Sequence, residues 1–138
     1  MCQTGYADDD RRTASLPLLP SYRQECATCH IAYPPGMLPS TSWQGILKTL
    51  PHHYGVDASL DPVTVKSLST WLTANAATKQ ERPAEDRITR TGWFIREHDE
   101  VSPAIWKLPK VKSASNCIAC HTQSDKGDFN ERSIHIPR

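Results

Sequence analysis

The chain has 138 residues, with 16 lysines and arginines against 15 aspartates and glutamates. That length bounds it to one compact domain or two very small ones, and the charge balance gives no argument for nucleic acid or an anionic membrane surface as partner. Hydrophobic residues are 38%, aromatics 7%, and there are 11 prolines, a lean recipe for a core that fits a chain built around something large and apolar.

Residues 1–20 are polar and then proline-punctuated ("LPLLP"), and read as a loosely held arm. They contain no hydrophobic signal core, so any leader is expected to have been removed or left out. No apolar run in the chain is long enough to span a bilayer. Five cysteines are present, an odd count that excludes a fully paired intrachain disulfide set. Cys2 is the spare one: a free thiol, a lipid-attachment residue or the remnant of an artificial junction, the last favoured because Met1 precedes it.

The other four cysteines stand in two copies of one phrase, "CATCH" at residues 26–30 and "CIACH" at residues 117–121. Zinc ribbons space their C-x-x-C pairs by roughly 15–20 residues, far closer than Cys29 and Cys117, and zinc gives no reason for a histidine after each pair. A thioredoxin-like dithiol needs a preceding strand, and "PSYRQE" and "KSASN" are not strands. Covalent haem attachment gives every residue of the phrase a task. Cys26 with Cys29, and Cys117 with Cys120, add to the haem vinyl groups from one side of a helical turn. His30 and His121 then face the iron as proximal ligands. Two haem c groups also account for the lean composition, since they serve as the cores.

Next, "TSWQGILKTLPHHYG" carries Trp43, Ile46, Leu47 and Leu50 at i, i+3, i+4, i+7, one face of a helix, with Ser42 as its N-cap and Pro51 bending or ending it. Continuing the stripe reaches His53, which is favoured over His52 as a distal ligand; His52 reads as a solvated or capping histidine. Asp61 and Pro62 then make an N-cap and first position for a helix whose Val65, Leu68, Trp71 and Leu72 form an apolar face, with Trp71 and Leu72 expected against the first haem. "NAATKQERPAED" reads as a linker near 76–85.

"PAEDRITRTGWFIREHDEV" reads as one helix with acids in its first turn. Ile88, Thr91, Ile95 and His98 share a stripe, which favours His98 over His135 of the tail "ERSIHIPR" as the second distal ligand. The bland alternative is a surface histidine. "SPAIWKLPKVK" allows at most a short turn of helix, and no segment shows sustained strand alternation.

Methionine is the competing ligand, but only Met1 and Met37 exist. Met37 is seven residues past His30, on the expected proximal side. Bis-histidine iron at both haems is favoured by elimination, and without methionine the haem potentials are expected to be low. The expected fold is mostly α, with an arm at 1–20, a haem domain at 21–80 and a second, irregular and loop-rich haem domain at 81–138.

The first half resembles a small class I cytochrome c: C-x-x-C-H near its start, the proline loop "YPPGML" and a closing amphipathic helix. Where that family has a ligating methionine, this chain has "HHYG". Pro34 or Pro35 is expected to offer a carbonyl to the free nitrogen of His30. Taken whole, the chain resembles the small dihaem cytochromes c of purple and related proteobacteria, on "ECATCHIAYPPGMLPSTSW", "LPHHYGVDASL", "FIREHDEV", "NCIACH" and the "IPR" ending. The resemblance implies periplasmic bis-histidine electron carriers, with His53 and His98 as distal ligands. It also implies a membrane b-type cytochrome as donor and a small oxygen-binding c-type haem protein as acceptor.

Electron transfer without bond chemistry is the reading these features favour, since six-coordinate haem has no open site for substrate. A haem enzyme or gas sensor with one open or labile distal site is the alternative, and a fixed subunit of a larger redox complex a third. Lys107, Lys110, Lys112 and Arg138 lie near the second motif in sequence and read as a guide for an acidic partner, as propionate partners or, most simply, as a solvated face.

Overall fold

The computed structural model describes residues 12–13 and 16–138; most of the arm, with Met1 and Cys2, lies outside them. Among the described residues the regular structure is helical, α-helices and short 3-10 turns joined by irregular loops. Among the described residues, pairing of the β type occurs as isolated bridges, Pro39 with Ala77, His53 with Val56 and His121 with Ile134.

Helix α1 (Pro20–Cys26) begins on a proline, whose missing N–H costs nothing at that position, and ends on the first cysteine of the first motif. A 3-10 turn, Pro35–Met37, leads to α2 (Ser40–Lys48). Pro39, not Ser42, is the residue before this helix. Ser42 is buried inside it, one turn too late to cap. The end expected at Pro51 is found, although the apolar stripe is thereby cut before His53. The helix stops at Lys48, and Leu50–His52 form a separate 3-10 turn, because Pro51 cannot donate into an α ladder.

Helix α3 (Pro62–Asn75) starts as expected. The Asp61 carboxylate accepts from the Thr64 N–H at 2.9 Å and the Thr64 hydroxyl at 2.6 Å. Leu68 and Leu72 are buried on its inner face and join Tyr22, Leu38 and Trp43 in the main apolar cluster. Trp71 turns to Tyr22 instead, 5.1 Å between ring centroids. The linker region is tied down: the Ala77 N–H donates to the Leu38 carbonyl at 2.9 Å, and the Gln80 amide to the Met37 carbonyl at 3.2 Å.

The single helix expected through "PAEDRITRTGWFIREHDEV" is broken into three pieces. Ala84–Asp86 and Ile88–Arg90 are 3-10 turns, and only Gly92–Glu97 is α-helical (α4). Glu85 and Asp86 have φ of 56° and 54°, a left-handed conformation that no helix interior tolerates. Tertiary contacts hold them there. Arg82 grips Asp86 at 2.7 and 2.9 Å, which keeps the Asp86 carboxyl below its ordinary range. The pair lies over Gly45 of α2, where a Cβ would stand 2.5 Å from Arg82 Nη2. The Tyr54 hydroxyl donates to the Glu85 carbonyl at 2.9 Å. α4 starts instead at Thr91, whose hydroxyl accepts from the Phe94 N–H at 3.2 Å.

Within α4 the buried residues are Trp93 and Phe94, while Ile95 is 59% exposed. The predicted stripe therefore fails at Ile95, since the helix carrying it begins only at Gly92. Met37 packs with Trp93 and Phe94 in a second, smaller cluster. α5 (Pro103–Trp106) is the expected short turn of helix. Beyond it the chain has only 3-10 turns, at Cys117–Ala119, Ser124–Lys126 and Glu131–Ser133. No helix among the described residues is long and apolar enough to cross a membrane.

Candidate functional site

Four of the six histidines come together as two pairs. The rings of His30 and His53 have centroids 6.2 Å apart and planes 29° from parallel. The rings of His98 and His121 have centroids 6.2 Å apart and planes 73° apart. Two imidazoles bound end-on to one metal ion at about 2 Å per bond stand with their centroids about 6 Å apart. Both pairs have that spacing, and in both the two histidines stand 23 positions apart in sequence, with the C-x-x-C-H histidine first in one pair and last in the other.

Local structure explains how each ring gets there. His53 follows the Leu50–His52 turn, and its N–H donates to the Val56 carbonyl at 2.8 Å. Tyr54 and Gly55, with φ of 50° and 89°, reverse the chain tightly between them. Burial and the neighbouring His30 hold the His53 imidazole below its ordinary pKa, which favours the neutral ring with a free lone pair. His98 is the residue that ends α4; its ring stacks on Phe94 at 3.9 Å, and its Nδ1 lies 2.7 Å from the Phe94 carbonyl. That contact fixes the tautomer and leaves Nε2 as the outward lone pair. For His30 the expected proline carbonyl is not the partner. Its Nδ1 lies 2.6 Å from the Ile31 carbonyl, while the Pro35 carbonyl accepts from Trp43 Nε1 at 2.8 Å and the Pro34 carbonyl from the Met37 N–H at 3.0 Å.

The two rival histidines both lie at the surface. His52 is exposed at the end of its 3-10 turn. His135 is also exposed, and its ring Nδ1 lies 3.2 Å from the Ser133 carbonyl. The tail does fold back along the second motif, but through its backbone: the His135 N–H donates to the Cys120 carbonyl at 2.9 Å.

Around the first pair is an open cavity of about 360 Å³ bordered by Cys26, Cys29, His30 and His53, with Leu38, Leu68 and Leu72 on its apolar wall. Cys117 of the second motif borders the same cavity. The second pair is framed by aromatic rings: Phe94, Trp106 6.0 Å from His98, and Phe129 5.4 Å from His121.

Burial pushes the Cys26 and Cys117 thiols up to about 11, as apolar surroundings do to a sulfur. Among the described residues no three His, Cys, Asp or Glu side chains converge as a metal site. At the first motif the apolar wall beside Cys26, Cys29 and the His30–His53 pair suits a thioether-linked haem. In the second motif the turn is closed on itself, with the Cys120 and His121 N–H groups both donating to the Cys117 carbonyl, at 3.2 and 2.7 Å.

The aromatic residues around the histidines were not singled out from sequence. Tyr33 stacks on His30 at 4.7 Å, and Tyr54 packs on His53 at 5.0 Å under the Arg87 guanidinium, 4.6 Å from the tyrosine ring. Their only signal was position, three residues after His30 and one after His53. Trp71, expected at the first haem, does not border the cavity.

The family model for dihaem cytochrome c matches residues 22–129. A crystal structure of DHC purified from Rhodobacter sphaeroides is 44% identical, covering 83% of this chain and 99% of that one with a TM-score of 0.73. A diheme cytochrome c from the same organism is 39% identical, with 83% and 98% covered and the same TM-score of 0.73. The diheme cytochrome type c from Shewanella baltica is 38% identical, with 88% and 95% covered and a TM-score of 0.77. No curated protein matches the chain. The repeated C-x-x-C-H, the mostly helical fold and these likenesses agree: the chain belongs to the dihaem cytochrome c family and carries two covalently bound haem c groups.

Proposed function

We propose that this dihaem c-type cytochrome is an electron-transfer carrier, not an enzyme, with bis-histidine iron at both sites. Cys26, Cys29, Cys117 and Cys120 hold the two haems through thioethers. His30 with His53, and His121 with His98, are the axial ligands. The observation that carries the reading is the pair of imidazole couples, each with centroids 6.2 Å apart. When bound, each haem supplies a one-electron change at iron. The chain's part is to fill both axial positions, so that no position is open to a substrate, and to hold neutral nitrogen donors at them. Four imidazoles and no thioether ligand favour low potentials.

The surroundings of the pairs differ, which supports two unlike haem units, about 21–80 and 81–138, relaying electrons from one partner to another. The resemblance to proteobacterial carriers adds a periplasmic location, a membrane b-type cytochrome as donor and a small oxygen-binding c-type haem protein as acceptor. Such encounters use small, transient interfaces.

Low-temperature electron paramagnetic resonance of the oxidised holoprotein, with His53→Met and His98→Met, tests the ligand set. Each substitution is expected to change one low-spin signal and raise the midpoint potential of that haem alone. A variant with both signals unchanged removes its histidine from the ligand set. Carbon monoxide binding to the native reduced protein would replace the carrier with a haem enzyme or gas sensor.

A further inference from the structure

Tyr33 is attached to both sites at once. Its ring stacks on the His30 imidazole, 4.7 Å between centroids and 30° between planes. Its hydroxyl donates to the Ser115 carbonyl at 2.8 Å, across 82 positions of sequence, and Ser115 stands two residues before Cys117. Its own carbonyl accepts the Tyr22 hydroxyl at 2.6 Å, and Tyr22 is buried in the main cluster at 3% exposure. Both apolar clusters pack against it.

A half-buried tyrosine such as Tyr33 readily finds some acceptor for its hydroxyl, and that alone assigns nothing. Here the ends of one stiff side chain serve different sites. The backbone end is anchored in the first half, the ring face meets an axial histidine, and the hydroxyl holds the loop that delivers the second motif. A tyrosine has only two rotatable side-chain bonds, so fixing both ends leaves it little freedom. Cys117 borders the cavity that His30 and Tyr33 also border, so the loop it belongs to is brought up to the first site.

We propose that Tyr33 is a positioning residue for electron exchange between the two haem sites. Its ring sets the plane of His30, and its hydroxyl sets the approach of the 113–117 loop. In the exchange one electron leaves ferrous iron at one site and reduces ferric iron at the other; no bond or proton changes place. The proposal rests on the electron-carrier reading above. Displacements as small as about 1 Å at a reacting pair are enough to alter rates strongly, which is the scale a lost hydrogen bond at the loop can produce.

The test uses the haem-loaded protein and two variants. Tyr33→Phe keeps the ring and removes only the bond to Ser115. It is expected to slow interhaem exchange in the half-reduced protein several-fold and to weaken the magnetic coupling between the two ferric irons, with the g-values of the first site unchanged. Tyr33→Leu also removes the ring from His30 and is expected to shift those g-values. Wild-type exchange and coupling in Tyr33→Phe overturn the proposal, as do wild-type first-site g-values in Tyr33→Leu. Should Tyr33→Leu not take up haem, Tyr33→Phe decides alone. The carrier reading fails differently: a high-spin or carbon monoxide-binding haem in the unsubstituted protein strikes at it, whereas low-spin wild-type spectra with unaltered exchange in Tyr33→Phe strike only at Tyr33.

Discussion

The two histidine pairs share a spacing and almost nothing else. His30 and His53 come from loops that flank α2 and look into a wall of aliphatic side chains from α2 and α3. His98 comes from the end of a six-residue helix and His121 from just past a 3-10 turn, among Phe94, Trp106 and Phe129. One pair is near-parallel at 29°, the other crossed at 73°. The spacing is what two imidazoles on one metal ion would need; their planes would be free to follow whatever packs behind each ring. The first half has enough buried Leu, Tyr and Trp to form a small core beside its haem. The second has a three-residue cluster that includes Met37 from the first half, and leans on its haem and on its neighbour.

The largest effect expected from this contrast is loss of structure on losing a haem. Removing the second anchor pair, Cys117→Ala with Cys120→Ala, is expected to unfold the region after Gly92 while α2 and α3 keep their helical circular dichroism. Removing both anchor pairs is expected to abolish most of the helical signal, because so small a core is marginal without the prosthetic groups. A haem-free chain with native-like circular dichroism would show that the apolar clusters suffice by themselves, and the contrast would lose its basis.

Smaller effects divide the halves by side chain. Leu68 is fully buried, 0% exposed, and Leu68→Ala is expected to cost about 3 kcal/mol. A lower urea midpoint with an unchanged second-site spectrum would show it. Phe94→Leu keeps much of the volume and is expected to cost about 1 kcal/mol. It removes the ring stacked on His98, so it should move the second low-spin signal far more than the first. Equal movement of both signals by Phe94→Leu would mean that the two sites are not independently supported.

What the sequence made legible follows from how local each feature is. C-x-x-C-H is five consecutive residues, and Asp61 caps α3 within a single turn, so both could be read directly. His53 and His98 were reached by stripes that the molecule does not contain unbroken. α2 ends before His53, and Ile95 of the second stripe faces water. The histidines still turn inward because a 3-10 turn and a left-handed Tyr54–Gly55 reversal aim one, and the Phe94 contact aims the other. The break at Glu85 and Asp86 was illegible for the same kind of reason. Arg82 is close in sequence, but Gly45 and Tyr54 are some 30 to 40 positions away, and local propensity contains nothing of them. Tyr33 is the extreme case, its decisive acceptor being 82 positions distant.

The smallest expected effect leaves stability untouched and reads the contrast most directly. In a haem with two imidazole ligands, as proposed at both sites, each imidazole would donate π density along its ring normal to one of two otherwise matched iron d orbitals. Near-parallel rings act on the same orbital and split the two, giving a rhombic low-spin ferric signal with well-separated g-values. Crossed rings act on both about equally, the splitting collapses, and the signal contracts to one dominant low-field feature. The angles of 29° and 73° therefore predict one signal of each kind from a single oxidised protein. His53→Met should abolish the rhombic signal, and His98→Met the one with the dominant low-field feature. Two rhombic signals in the unsubstituted protein would mean that haem binding turns the His98 or His121 ring towards its partner's plane, and that the stacking of Phe94 on His98 is too weak to hold it.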